Sequence, residues 1–311
     1  EIKDATFAIH PDKAPGPDGF SAAFFQSNWE ITGPAICREI QQFFRTGTLA
    51  ATVNHTYVRL IPKNLEATTA ADFRPIALCN IYYKIVSKLL SLRLKKVLSS
   101  IISENQSAFI PGRSITDNVL ITHEVLHYLK TTTAKKQCSM AVKTGMSKAY
   151  DRLEWSFVAK VMERLGFHSK WIGWILECIS TVSYSYLIND SVYGLVKPSR
   201  GIRQGDPISP YLFILCGEVL SGLCKKAARE GTLQGVRVAR GSPRVNHLLF
   251  ADDTMFFCST SPASCQQLKE ILTSYEAASG QQINKNKSAI TFAKQTPPAN
   301  KKEVKRGTNT E

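Results

Sequence analysis

Two adjacent carboxylates, Asp252 and Asp253, stand in the run Asn246-His247-Leu248-Leu249-Phe250-Ala251-Asp252-Asp253-Thr254-Met255-Phe256-Phe257-Cys258. Apolar residues flank them on both sides, so the pattern reads as two apolar strands around an acidic turn. Holding two like charges together at the tip of a hydrophobic hairpin is costly unless a cation neutralises them. Hard carboxylate oxygens suit Mg²⁺, which keeps some of its waters and shares its remaining positions with substrate phosphates. A pair of such ions can clamp the attacking and leaving oxygens of an in-line phosphoryl displacement. The dipeptide alone reads more simply as a solvated turn; its apolar flanks and its neighbours along the chain shift the balance.

Those neighbours are cations and loops. Arg203-Gln204-Gly205-Asp206-Pro207, followed by Ile208-Ser209-Pro210, sets a flexible glycine turn at the head of an apolar helix, where Arg203 and Gln204 can touch a nucleotide or a template backbone. Lys63 in Leu-Ile-Pro-Lys and Arg74 in Phe-Arg-Pro-Ile are placed to meet a triphosphate. A competing motif is His123-Glu124-Val125-Leu126-His127, which matches the His-Glu-x-x-His pattern of zinc proteases on a predicted helix. No third ligand is evident for it, so a zinc protease is the remote alternative. The eight cysteines are scattered singly, with no Cys-x-x-Cys pair, and read as reduced thiols of an intracellular protein.

The elements that must position these groups alternate in type. Residues 12–19 are turn formers and make a loop. Helical patterns follow, one starting near Pro34 and stopped by Gly47. Tyr57 to Ile61 reads as a strand, and Asn80 to Ser100 as a helix carrying Lys84, Lys88, Arg93, Lys95 and Lys96. A loop at Pro111–Ser114 separates that helix from another near Asp117–Lys130. After Cys138 come a strand (Ser139–Lys143), two helices closed in part by Gly166, a hairpin turning at Asn189-Asp190, and a long helix opened by Pro207–Pro210. A helix capped by Ser261-Pro262 and a short strand follow. Helices interleaved with antiparallel pairs predict an α+β architecture. The division expected is 1–137, 138–294 and a disordered tail over 295–311.

Bulk properties fit this reading. Lys and Arg outnumber Asp and Glu by 39 to 25, a formal charge of +14 that favours nucleic acid over a membrane surface as partner. No apolar run is long enough to span a bilayer. The chain begins at Glu1 with nothing resembling a signal or transit peptide, and reads as a piece of a longer protein.

Taken together, Ala-Pro-Gly-Pro-Asp-Gly-Phe from Ala14, Leu-Ile-Pro-Lys, Phe-Arg-Pro-Ile-Ala-Leu-Cys-Asn, the Ala108–Asn118 loop, Met146–Trp155, Gly201–Pro210, Phe-Ala-Asp-Asp and Ile-Asn-Lys-Asn-Lys-Ser resemble, in order and spacing, reverse transcriptases of plant LINE-type non-LTR retrotransposons. The resemblance runs from about Asp12 to Phe292. It implies a right-hand polymerase in which 1–137 is a fingers-like region and 138–294 a palm with an antiparallel sheet backed by helices, with the thumb largely missing from this piece. It implies RNA-templated DNA synthesis with two Mg²⁺ ions, and an RNA template, a DNA primer and deoxynucleoside triphosphates as partners. Nucleotide contacts are implied at Lys63, Arg74, Arg203, Gln204 and Gly205. Tyr150 matches the aromatic that excludes a 2′-hydroxyl, Lys287 a lysine that protonates the leaving pyrophosphate, and Asp252, Asp253 and the Met146 carbonyl the metal-binding groups. Nuclear or cytoplasmic residence is implied by the family's life cycle.

One position departs from the family. The strand before Tyr150 should carry an aspartate shared by both metals, and Gly145 stands there instead. Glycine offers no side-chain oxygen and loosens the strand. Asp151, six residues on and past the aromatic, is too far along the chain to replace it. Changes among the groups that only support metal ligands cost roughly 10–100-fold, so the loss of a shared ligand predicts a degenerate copy without polymerase activity. A remnant that grips nucleic acid without chemistry is the alternative.

Overall fold

A computed structural model describes residues 1–134 and 138–308, the last four by their backbone alone. The helices are α1 Ile2–Phe7, α2 Ala22–Ser27, α3 Trp29–Thr46, α4 Ala51–Asn54, α5 Ile81–Ile101, α6 Ile115–Thr131, α7 Trp155–Arg164, α8 Ser169–Ser180, α9 Ser209–Arg229, α10 Pro262–Ser279 and α11 Pro298–Thr308. The strands are β1 His55–Pro62, β2 Phe73–Cys79, β3 Ser139–Met146, β4 Ser183–Ile188, β5 Ser191–Val196, β6 His247–Phe250, β7 Asp253–Ser259 and β8 Ile283–Phe292. The chain is α+β, as the sequence predicts.

Two compact units divide the molecule, residues 1–97 with 153–212 and residues 98–152 with 213–311. Each is discontinuous in sequence, so the expected linear cut at 137/138 does not coincide with the packing. A chain that leaves a unit and re-enters it gives no composition break at either crossing. That is why the expected boundary fell between two apolar segments instead.

The first unit holds a four-stranded sheet in the order β2-β1-β4-β5. β1 and β2 form an antiparallel pair, β1 and β4 run parallel, and β4 and β5 close a hairpin. Its turn lies at Asn189 and Asp190, both with positive φ, a conformation these residues tolerate better than most. α3 begins at Trp29, five residues before the predicted start, and carries Pro34 inside it. Its buried Ile36, Ile40 and Phe43 form the face the sequence pattern marks, and Gly47 ends it in the left-handed conformation.

The second unit is built on an antiparallel sheet ordered β6-β7-β3-β8. One face packs against α6, where Val125 and Leu129 meet Ala141, Leu248, Phe257 and Ala293. Burying each of the larger side chains contributes about 1.5–3 kcal/mol. The edge of β6 is covered by an irregular segment: Leu249 donates to Asn105 O (2.8 Å), and Leu249 O accepts from Ser107 N–H (3.1 Å) and Asn118 Nδ2 (2.8 Å). α10 starts with the Ser261 hydroxyl accepting from Ser264 N–H, the cap foreseen from the sequence. The segment predicted to be disordered from residue 295 differs: α11 spans Pro298–Thr308 and buries Val304. Residues 309–311 of that predicted tail lie outside the described residues. No described helix is long and apolar enough to cross a membrane.

Candidate active site

The acidic tip is a two-residue turn. β6 ends at Phe250, β7 starts at Asp253, and these two residues pair across the hairpin. Ala251 between them has φ +53°, a left-handed conformation that costs a non-glycine residue about 1–2 kcal/mol. The turn is held by Gln106, whose Oε1 accepts from the N–H groups of Ala251 (3.2 Å) and Ala108 (2.9 Å). Asp252 and Asp253 are both solvent-accessible. Partial desolvation, and then the charge of Asp253, hold the Asp252 carboxyl above its usual range, opposed by Lys287 and Lys143. Asp253 Oδ1 lies 3.7 Å from Lys143 Nζ.

Gly145 is the register partner of Asp253 on the neighbouring strand. A Cβ added there would lie 3.8 Å from Asp253 Oδ1 and 3.6 Å from Lys287 Cβ, ordinary contact distances. The backbone is therefore ready for a side chain that this sequence does not supply. Between Lys143 and Gly145 the register with β8 slips, from Lys143↔Ala289 to Gly145↔Asn284. The extra residues of β8 between these pairs include Lys287, whose Cβ comes close to Gly145. Met146, buried, ends β3 opposite Ile283.

Tyr150 follows in the next turn, its ring stacked on Phe213 at 5.2 Å and 2°. Burial, then the nearby charge of Asp252, pushes its phenol up to about 12. Asp151 points elsewhere in chemical terms: desolvation raises its carboxyl, and the charges that offset this are Lys148 and Arg152. The second unit thus brings together Asp252, Asp253, Gly145, Met146, Tyr150 and Lys287 at one end of its sheet.

The remaining predicted residues belong to the first unit. Arg74 is exposed and faces Ile61 across the β1–β2 ladder. Lys63 lies just past the end of β1, its N–H donating to Asp72 O (2.8 Å) and its Nζ to Ala71 O. Strand alternation puts Ile61 and Lys63 on the same side, so Lys63 and Arg74 share a face of one hairpin tip. Gln204 is half-exposed and its carbonyl accepts from Ala77 N–H of β2 (2.9 Å). Gly205 has φ +100°, and a Cβ there would stand 3.4 Å from Ala77 O, so this close turn favours glycine.

Arg203 corrects the sequence reading. It is buried, and cannot reach a nucleotide from this position. Its guanidinium donates to Asn54 Oδ1 (2.7 Å), Thr56 Oγ1 (3.3 Å) and the Cys178 carbonyl. It stacks 3.8 Å over the Tyr83 ring and lies 3.8 Å from Asp206. Asp206, also buried, accepts from the Tyr83 and Ser87 hydroxyls and from Ile208 N–H. The pair anchors the turn that presents Gln204; it does not form part of the exposed surface. Sequence reasoning missed Gln106, Asn118 and Lys143 as supports of the acidic tip, and Phe213 as the platform for the Tyr150 ring. Their partners lie far along the chain, and no local pattern marks them.

The family resemblance implies metal chemistry with three carboxylates, and the acidic tip carries Asp252 and Asp253 side by side. Among the described residues no group of three or more His, Cys, Asp or Glu is arranged to hold a metal ion. That includes His123 and His127, one turn apart on α6 and exposed, which find no third ligand.

Residues 61–305 match the family model described as reverse transcriptase (RNA-dependent DNA polymerase). The chain is 30% identical over 290 residues to an uncharacterised 149 kDa protein of transposon TX1 from Xenopus laevis, covering 93% of this chain and 21% of that protein. It is 26% identical over 249 residues to the Pol polyprotein of the type-2 retrotransposable element R2DM from Drosophila melanogaster, covering 79% of this chain and 22% of that one. An uncharacterised mitochondrial protein of Arabidopsis thaliana is 68% identical over 69 residues, 22% of this chain and 57% of that protein. This chain spans about a fifth of the length of the TX1 and R2DM proteins. In fold it resembles apo telomerase from Candida tropicalis, with a TM-score of 0.54 and 14% identity, covering 88% of this chain and 56% of that one. With its acidic hairpin, its glycine turn before α9 and this match over most of its length, the chain belongs to the reverse transcriptase family, as a domain of the non-LTR retrotransposon type.

Proposed function

We propose that this chain is the polymerase core of a plant LINE-type reverse transcriptase whose copy has lost nucleotidyl transfer. The observation that carries the proposal is Gly145, in register with Asp253, where a Cβ would meet Lys287 and Asp253 only at ordinary contact distances. The high identity of one segment to a plant mitochondrial protein supports the plant assignment. In this reading the domain acts inside the cell, in nucleus or cytoplasm.

Each group then has a task. Lys63 and Arg74, sharing one hairpin face, neutralise the triphosphate of an incoming deoxynucleotide. Gln204, held through its backbone on β2, contacts the nucleotide from a fixed turn. Tyr150, locked flat against Phe213, presents a rigid wall that a 2′-hydroxyl would strike. Lys287 gives a proton to the leaving pyrophosphate. Two Mg²⁺ ions would supply charge stabilisation at the reacting phosphate, and Asp252 and Asp253 alone do not complete their ligand set. RNA template and DNA primer can still bind, so the chain acts as a nucleic-acid-gripping protein without chemistry.

Primer extension on an RNA template tests this. The natural chain extends no primer above background with Mg²⁺, while Gly145→Asp extends it by at least about 100-fold more, in line with the loss expected for a shared metal ligand. Extension by the natural chain at the rate of Gly145→Asp would overturn the proposal.

A further inference from the structure

The sheet of the second unit has a second end. β3 begins at Ser139 and β7 finishes at Ser259, paired with each other, roughly 20 Å along the strands from Gly145 and Asp253. A cavity of about 610 Å³ opens there. Its walls carry hydroxyls and an amide, from Ser259, Ser261, Ser264 and Gln234, and two guanidinium groups, Arg237 and Arg244.

Both arginines belong to a short ribbon between α9 and β6. Val236 and Val245 exchange backbone hydrogen bonds of 2.8 and 2.9 Å, and Ser242 N–H donates to Ala239 O at its tip. A Cβ on Gly235 would lie 2.5 Å from Val245 O, so only glycine lets the two arms approach. Val236 is buried in the core with Leu129 and Phe257, and Val238 and Val245 pack against that core. Alternation then turns Arg237 and Arg244 outward, and Arg240 sits near the tip; all three are exposed. No Asp or Glu occurs from Leu233 to His247. The described arginines that pair with carboxylates are Arg93, Arg200 and Arg203, all in the other unit. Arg244 donates to Gly235 O (3.1 Å), which orients its guanidinium and leaves its other N–H groups for a ligand.

We propose that this ribbon and cavity form an RNA-binding surface separate from the acidic tip. The proposal rests on the reading that this chain's partner is nucleic acid, and it adds where else that partner is held. Guanidinium forks bond phosphate oxygens bidentately, and three on a ribbon pinned to the core present them at little ordering cost. The adjoining hydroxyls and amide can donate to and accept from a ribose 2′-hydroxyl, which DNA lacks. An acidic peptide would engage the arginines but would leave the polar cavity without a matching group.

The test uses the full chain and a labelled single-stranded RNA of mixed sequence, titrated against salt. Arg237→Gln/Arg240→Gln/Arg244→Gln lowers RNA affinity about tenfold or more and reduces the slope of log K on log salt by about 2, at roughly 0.7 for each phosphate no longer neutralised. DNA of the same sequence competes several-fold less well with the natural chain, and the triple variant loses that discrimination. The side chains replaced are exposed, so the melting temperature is unchanged; Arg240→Glu alone, at the ribbon tip, also weakens RNA binding. Affinity and slope of the triple variant within about twofold of the natural chain would overturn the proposal, as would equal competition by DNA or by polyglutamate. Primer extension by Gly145→Asp separates the two ideas, since it survives if the ribbon proposal alone fails.

Discussion

A guanidinium held away from water must find its compensation inside the protein, and Arg203 finds it in an aromatic ring, a carboxylate and three neutral oxygens. Burial pushes the Tyr83 phenol well up, so it stays protonated and donates to Asp206. Removing one partner of such a pair strands the other charge, at a cost of about 3–5 kcal/mol. Arg203→Ala is therefore expected to lower unfolding stability in urea by that amount. A shift under about 0.5 kcal/mol, the usual effect of a surface change, would show that Arg203 is not the anchor described. Gly145 is the opposite case, a residue whose proposed importance lies in what it lacks. The motif order singled it out in the sequence, while the burial of Arg203 could not be read from a loop rich in glycine, proline and polar residues.

At the scale of elements, the acidic hairpin combines two costs: adjacent carboxylates and a left-handed alanine. Gln106 stabilises the turn by accepting from Ala251 N–H. Ala251→Gly removes the backbone strain while adding freedom to the unfolded chain. The net expectation is a protein equal in stability or up to about 1 kcal/mol more stable, measured by denaturant unfolding. Destabilisation by more than that would mean the methyl group packs usefully at the tip. Gln106→Ala leaves the Ala251 and Ala108 N–H groups without that acceptor and is expected to cost about 1–2 kcal/mol. The strands of this hairpin and the N-terminal cap of α10 were legible from local pattern. The cover over the edge of β6 was not, because residues 105–118 reach it from more than a hundred positions away.

For the whole molecule, one buried histidine ties folding to pH. His247 bonds Ser221 Oγ (2.9 Å) and Asn246 Oδ1 (2.7 Å) and is inaccessible to solvent. Burial, with Lys225 adding to it, lowers its pKa from 6.5 to about 4. The unfolded chain then binds a proton between those values that the folded chain does not. The stability it contributes is present above pH 6.5 and is lost as pH falls toward 4, up to about 3 kcal/mol. Denaturant unfolding across about pH 4–7.5 measures this loss, and His247→Gln is expected to be less stable at the upper end but to show a shallower acid decline. An equally steep decline in the variant would assign the effect to other groups.

The sequence by itself determined the family and the α+β class, and it marked Asp252 and Asp253 as an adjacent acidic pair between apolar arms. Those follow from residue types in a fixed order, and from periodicities that local backbone geometry imposes on a chain. Tertiary structure alone decided the rest. It divided the chain into two units that each draw on separated segments, turned Arg203 inward, and folded a helix from residues expected to be disordered. It also placed Gly145 beside Asp253, where a Cβ would make only ordinary contacts. Each of these depends on which distant surfaces exclude water together, and an approach between residues far apart in sequence leaves no mark in either segment taken alone.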